Sequence, residues 1–135
     1  MTMTWRNIVL VAIGGGLGAV LRDLVSLWMP GGAIPWAFLL INTVGSYAIG
    51  IIAALVDEFG RLSPQSRLFL AVGVMGGFTT FSTYMAGVHD LIASQHLVRG
   101  ILYGVWSPIM GFFAAWGGIV SVRLGMGYLS RYRGE

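Results

Sequence analysis

Met75-Gly76-Gly77-Phe78-Thr79-Thr80-Phe81-Ser82-Thr83-Tyr84 lies inside a long apolar run that otherwise reads as a membrane helix. Two adjacent glycines weaken a helix at that point. Hydroxyl-bearing Thr79, Thr80, Ser82 and Thr83 then crowd in beside the aromatics Phe78, Phe81 and Tyr84. In hydrocarbon, broken backbone survives only where protein, water or an ion satisfies it, and an unpaired peptide group costs roughly 2–7 kcal/mol. The stretch therefore reads as a site, built on a break in the span at Gly76-Gly77. On a helix resuming after the break, Phe81 and Tyr84 share one face, Thr80 and Thr83 an adjacent face, and Thr79 and Ser82 another. A single Ser or Thr in such a place ordinarily bonds back to its i−4 carbonyl. The density of these residues beside a double glycine is what argues for function.

The surrounding chain fits a membrane protein. Of 135 residues, 56% are hydrophobic and 10% charged, against about 25% charged in a soluble domain. Four spans of about 20 residues with short loops fill this length. The expected fold is all-α and integral to the membrane, one domain over residues 1–135, with spans at about 7–28, 36–56, 67–93 and 97–127. There is no cysteine, which excludes disulfides and thiolate chemistry. Every basic side chain is arginine, and the net charge of +3 is spread over loops, so no nucleic-acid partner is expected. The first apolar run continues to Trp28 and lacks a small-x-small cleavage site, so a signal peptide is not expected.

Span one is bracketed by Trp5 and Trp28, as interfacial anchors should be. Inside it, Gly14 and Gly18 form a small-xxx-small face for close helix packing. The same letters fit an Ala-ended GxGxxG, but no strand precedes it and no acid follows at the required distance. Arg22 and Asp23 close the span, and on position alone Arg22 snorkels to the interface. After a turn over residues 29–35, span two carries Asn42, Gly45, Ser46 and Gly50. Asn42 either makes an interhelical hydrogen bond, worth roughly 0.6–2 kcal/mol, or presents an amide donor to a pore. Ser63-Pro64 reads as a helix start. His89, Asp90 and His96 follow span three without metal-ligand spacing. In span four, Tyr103 and Ser107 share a face, and Pro108 frees a carbonyl at mid-span, which favours a kink. A short polar tail, Ser130 to Glu135, ends the chain.

Three blocks, Gly14-Gly15-Gly16-Leu17-Gly18-Ala19-Val20-Leu21-Arg22, Asn42-Thr43-Val44-Gly45-Ser46-Tyr47 and Gly76-Gly77-Phe78-Thr79-Thr80-Phe81-Ser82-Thr83-Tyr84, together resemble the small bacterial fluoride channels, Fluc or CrcB. The resemblance covers essentially the whole chain. It implies a passive, multi-pass plasma-membrane channel for fluoride and an antiparallel dimer with two pores. It also implies a structural sodium ion at the dimer centre, held by backbone carbonyls, which by position are those of Gly76 and Thr79. The pore phenylalanines fall on Phe81 and Tyr84, the pore asparagine on Asn42 and the vestibule arginine on Arg22. The hydroxyls after the break fall on Ser82 and Thr83, and a polar track on Tyr103 and Ser107. This chain departs from the pattern in three places. Tyr84 stands where Phe is usual, the track would continue through the non-polar Gly111 and Ala115, and Asp23 follows Arg22 where an aromatic is common.

The residue chemistry agrees. A small anion entering a membrane needs donors to replace its water, and Asn42, Ser82, Thr83 and Tyr84 can donate. The electropositive edge of Phe81 can face an anion, and half-helix carbonyl ends suit a cation. Nothing resembles a hydrolase or redox site, so no enzyme is expected. Two other functions compete. A small proton-coupled multidrug exporter also uses four spans but needs a mid-membrane carboxylate, and span one holds only Asp23, near its end. A non-transporting membrane scaffold leaves the polar cluster unexplained. The flank shared by both termini and the span two–three loop carries Arg6, Arg61, Arg67, Arg131 and Arg133, whereas the opposite flank carries Arg22 and Arg99. Taken alone, that bias favours cytoplasmic termini. The resemblance nonetheless favours a homodimer with mixed insertion, since the family often forms one, and an oppositely inserted sister subunit is the alternative.

Overall fold

The computed structural model describes residues 4–29, 32 and 34–133. The turn residues Pro30, Gly31 and Ala33 and the final Gly134-Glu135 lie outside the described residues. The elements are α1 (Trp5–Trp28), α2 (Trp36–Ala53, continued by a π-helical turn Ala54–Glu58), α3 (64–78), α4 (Phe81–Ala93) and α5 (Leu97–Arg133). Among the described residues all regular structure is helical. Four stretches are long and apolar enough to cross a membrane: Trp5–Trp28, Trp36–Glu58, Pro64–Ala93 and Leu97–Leu129. The third is α3 followed by α4.

Local chemistry sets the ends of the third span. Ser63 caps α3 by accepting the Ser66 N–H at 3.1 Å, with Pro64 in the first turn. The span therefore begins at Pro64, a turn earlier than the apolar pattern alone indicates. From Leu68 to Met75 the backbone winds π-helically, with wide turns that are frequent at functional sites. At the far end Gln95 takes the left-handed conformation (φ 61°), and the His96 N–H returns to the Leu91 carbonyl at 2.9 Å. This is a Schellman closure made without glycine, and α5 starts directly after it.

The break is displaced from Gly76-Gly77. Helix α3 runs through both glycines to Phe78, and the backbone becomes extended only at Thr79 (ψ 155°) and Thr80 (φ −146°, ψ 123°). The glycines serve packing instead. A Cβ on Gly77 would collide with the Gly15 carbonyl, and one on Gly18 with the Val74 carbonyl; one on Gly14 would lie 3.0 Å from the Gly73 Cα. The small face of α1, Gly14 and Gly18, thus docks on a matching face of α3, Gly73 and Gly77, and the two backbones nearly touch. Gly76 points into open space. The contact of α2 with α5 is built in the same way, with Gly50 against the Ala115 carbonyl and Gly118 against the Tyr47 carbonyl. At one end of the bundle Arg123 donates two hydrogen bonds to the Glu58 carboxylate, at 2.7 and 2.8 Å, which ties α5 to the end of α2.

Candidate functional site

The extended peptide at Thr79-Thr80 is held open by side chains. The Thr80 N–H would continue α3 by bonding to the Gly76 carbonyl. It donates instead to Asn42 Oδ1 at 2.9 Å, and Asn42 Nδ2 donates to the Thr80 carbonyl at 3.0 Å. One amide side chain from α2 thereby replaces a turn of helix. The Thr83 N–H, the i+4 donor for the Thr79 carbonyl, goes to Thr80 Oγ1 at 3.2 Å, where Thr80 acts as the N-cap of α4. The Thr80 hydroxyl donates in turn to Thr83 Oγ1 at 3.0 Å and lies 3.3 Å from Ser82 Oγ. Both helical donors being diverted, the carbonyls of Gly76 and Thr79 accept no backbone N–H among the described residues. The Thr79 hydroxyl bonds back to the Met75 carbonyl at 2.8 Å and its methyl fills the space left by Gly45.

A cleft of about 440 Å³ opens at this break. It is lined by Asn42 and Ser46 of α2, by Thr79, Thr80, Phe81 and Tyr84 at and after the break, and by Ser107, Gly111 and Phe112 of α5. Phe81 is 75% exposed, and its ring stands at a centroid distance of 5.7 Å from Tyr84, whose ring lies 5.6 Å from Tyr103. The Tyr84 hydroxyl donates to the Gly104 carbonyl of α5. That carbonyl is the one left without a helical partner by Pro108, four residues on. The phenol at position 84 thus satisfies the backbone defect made by the proline. Tyr103 is 5% exposed, and its hydroxyl finds no hydrogen-bond partner among the described residues.

The structure brings together only some of the residues marked in the sequence. Asn42, Thr79, Phe81, Tyr84 and Ser107 surround the cleft. Ser82 and Thr83 sit in the first turn of α4, bonded to Thr80 and outside the lining. Tyr103 is buried behind Tyr84 and lines a separate, mostly apolar pocket with Trp36 and Trp106. Arg22 is away from the cleft, its Nε 3.4 Å from Asp23 Oδ1. The sequence reading named Thr80 and Ser46 but gave neither a role of its own in the site. Each had a signal: Thr80 directly precedes a helical stretch, as a cap does, and Ser46 lies four residues from Asn42 on the same helix face.

Residues 9–119 match the family described as CrcB-like protein, Camphor Resistance (CrcB). The chain is 44% identical over 119 residues to a fluoride-specific ion channel, FluC, of Chlorobium chlorochromatii, covering 87% of this chain and 92% of that protein. It is 39% identical over 121 residues to FluC of Rhizobium meliloti, covering 87% and 97%. With FluC of Hahella chejuensis the identity is 37% over 125 residues, covering 90% and 98%. A four-span helical chain matched over this length belongs to the CrcB-like family.

Proposed function

We propose that the chain is a subunit of a fluoride-selective channel of the plasma membrane, through which fluoride leaves the cytoplasm passively and its internal concentration falls. The relatives matched over most of the chain are fluoride-specific ion channels. Within the molecule, the observation that carries the reading is the cleft at the Thr79-Thr80 break, where hydrogen-bond donors and the Phe81 ring meet in the middle of a span. Fluoride accepts hydrogen bonds and donates none, so a path for it must present donors. Asn42 has two N–H groups and commits Nδ2 to the Thr80 carbonyl through one of them, leaving the other for the anion. The Ser107 hydroxyl lines the same space, and Phe81 offers its electropositive edge. Ser82 and Thr83 supply hydroxyls at the first turn of α4. Tyr84 contributes its ring rather than its phenol, which is committed to Gly104. Arg22 serves as a vestibule charge outside the cleft.

A structural sodium ion fits the donor set. The Gly76 and Thr79 carbonyls, stripped of their helical partners by Asn42 and Thr80, would hold it, since a hard cation prefers oxygen donors. When bound, the ion supplies the positive charge that satisfies these two oxygens. The working unit is an antiparallel homodimer embedded in lipid. The multidrug-exporter reading loses support because the acid of α1, Asp23, is 72% exposed and lies at the helix end beside Arg22.

The function is tested with the purified chain in liposomes, by fluoride-electrode recording of efflux against a chloride control. Fluoride release without chloride release is expected, and absence of fluoride-selective release contradicts the proposal. Reporters on the C-terminus test the assembly. Signal from both sides of the membrane is expected for the homodimer, and signal from one side alone, with no flux from the single chain, points to an oppositely inserted sister subunit.

A further inference from the structure

Among the described residues, the serine and threonine hydroxyls along these helices include two contrasting sets. Thr43, Thr79 and Ser121 donate to their own i−4 carbonyls, those of Leu39, Met75 and Gly117, at 2.7–2.8 Å. This is the default for a hydroxyl in a membrane helix and leaves nothing for a ligand. Ser46 and Ser107 behave differently. Each lines the cleft, and neither hydroxyl has a hydrogen-bond partner among the described residues. Ser46 could bond back to the Asn42 carbonyl one turn earlier and does not. Its Oγ is turned towards α5, 3.2 Å from where a Cβ on Gly111 would stand. Gly111 follows Ser107 by one helical turn, so the space beside it continues the polar face of α5.

We infer that Ser46 is an anion-contacting residue of the pathway, its hydroxyl standing in for the one that α5 lacks at position 111. The polar path then crosses from α5 to α2 after Ser107 and proceeds along Ser46 and Asn42, which share a face of α2. Gly111 makes room for this crossing, since a side chain there would crowd the Ser46 hydroxyl. The inference rests on the fluoride reading and adds a residue to its path.

Fluoride efflux from liposomes is the readout, with wild type, Ser46→Ala, Ser46→Ala/Gly111→Ser and Thr43→Val compared at equal reconstituted protein. Ser46→Ala is expected to slow efflux roughly tenfold, the loss expected from one hydrogen bond to a charged species. The double variant returns a hydroxyl to the same space from α5 and is expected to recover most of the rate. Thr43→Val removes a hydroxyl already bonded to its own helix and is expected to conduct as wild type. Wild-type rates in Ser46→Ala, while Asn42→Ala is slow, would overturn the inference and leave the fluoride reading standing. A slow Ser46→Ala that the double variant does not rescue would assign the effect to packing and overturn the inference as well. No fluoride efflux from wild type would overturn the underlying reading.

Discussion

Gly73 and Gly77 on α3, and residues 79–83 directly after them, meet the demands of the membrane in opposite ways. In the first region the helix stays intact and side chains are removed, so that α1 and α3 meet backbone to backbone through Gly14, Gly15, Gly18, Gly73 and Gly77. In the second region side chains are kept and the helix is given up. Asn42 and Thr80 take over the N–H groups that would have closed it. The first arrangement leaves no room for a ligand, and the second leaves two carbonyls and a cleft. The difference teaches that a break in a membrane helix is made by the groups that replace its hydrogen bonds, whereas glycines alone leave the helix whole.

The largest effect is expected on the packed side. In Gly77→Val a branched side chain meets the Gly15 carbonyl, and overpacking against backbone costs about 1–3 kcal/mol or more. Loss of monodisperse protein in size-exclusion chromatography is the expected result, and a normally folded, conducting Gly77→Val would break the contrast between the two regions. Next comes Asn42→Ala, which removes both bonds to the Thr80 peptide and the donor proposed for the pathway. Fluoride flux is expected to fall roughly 10- to 100-fold, while the α1–α3 contact keeps the fold. A flux change below twofold would mean that the break stands without Asn42.

Tyr84→Phe has a smaller, chiefly structural effect. The Gly104 carbonyl loses its donor, at a cost of about 1–3 kcal/mol, seen as a lower unfolding temperature in detergent, while fluoride still passes the aromatic ring. Abolished flux at unchanged stability would show the phenol to be a pathway donor. The smallest effect belongs to Gly76→Ala. Its side chain enters open space, and alanine is favoured over glycine inside a helix by roughly 0.5–1 kcal/mol. Unchanged flux and slightly raised stability are expected, and a severe loss would show that Gly76 packs against the second subunit rather than facing open space.

The four spans were legible because apolar length is a one-dimensional signal, and the Gly14/Gly18 face because its four-residue spacing survives in any helix. The position of the break was not. Glycine propensity pointed to residues 76–77, but the break depends on Asn42, 38 residues earlier, reaching the Thr80 peptide. The role of Tyr84 was hidden for the same reason, since it is set by a carbonyl on α5 that Pro108 leaves unpaired. The freed carbonyl could be read from the proline, but its partner could not. Asn42, Phe81 and Ser107 were legible because a polar or exposed aromatic residue at their depth has few other uses. Arg22 and Tyr103 shared that signal, yet tertiary packing places them outside the cleft.

The central claim, that the cleft at Thr79-Thr80 is the anion path, is tested most directly by fluoride efflux through Phe81→Ile. Phe81 is exposed in the cleft and takes little part in the packed core, so the variant should fold and assemble as wild type does. Strongly reduced fluoride release from Phe81→Ile liposomes with an unchanged elution profile is expected. Undiminished release would contradict it and make Phe81 a packing residue.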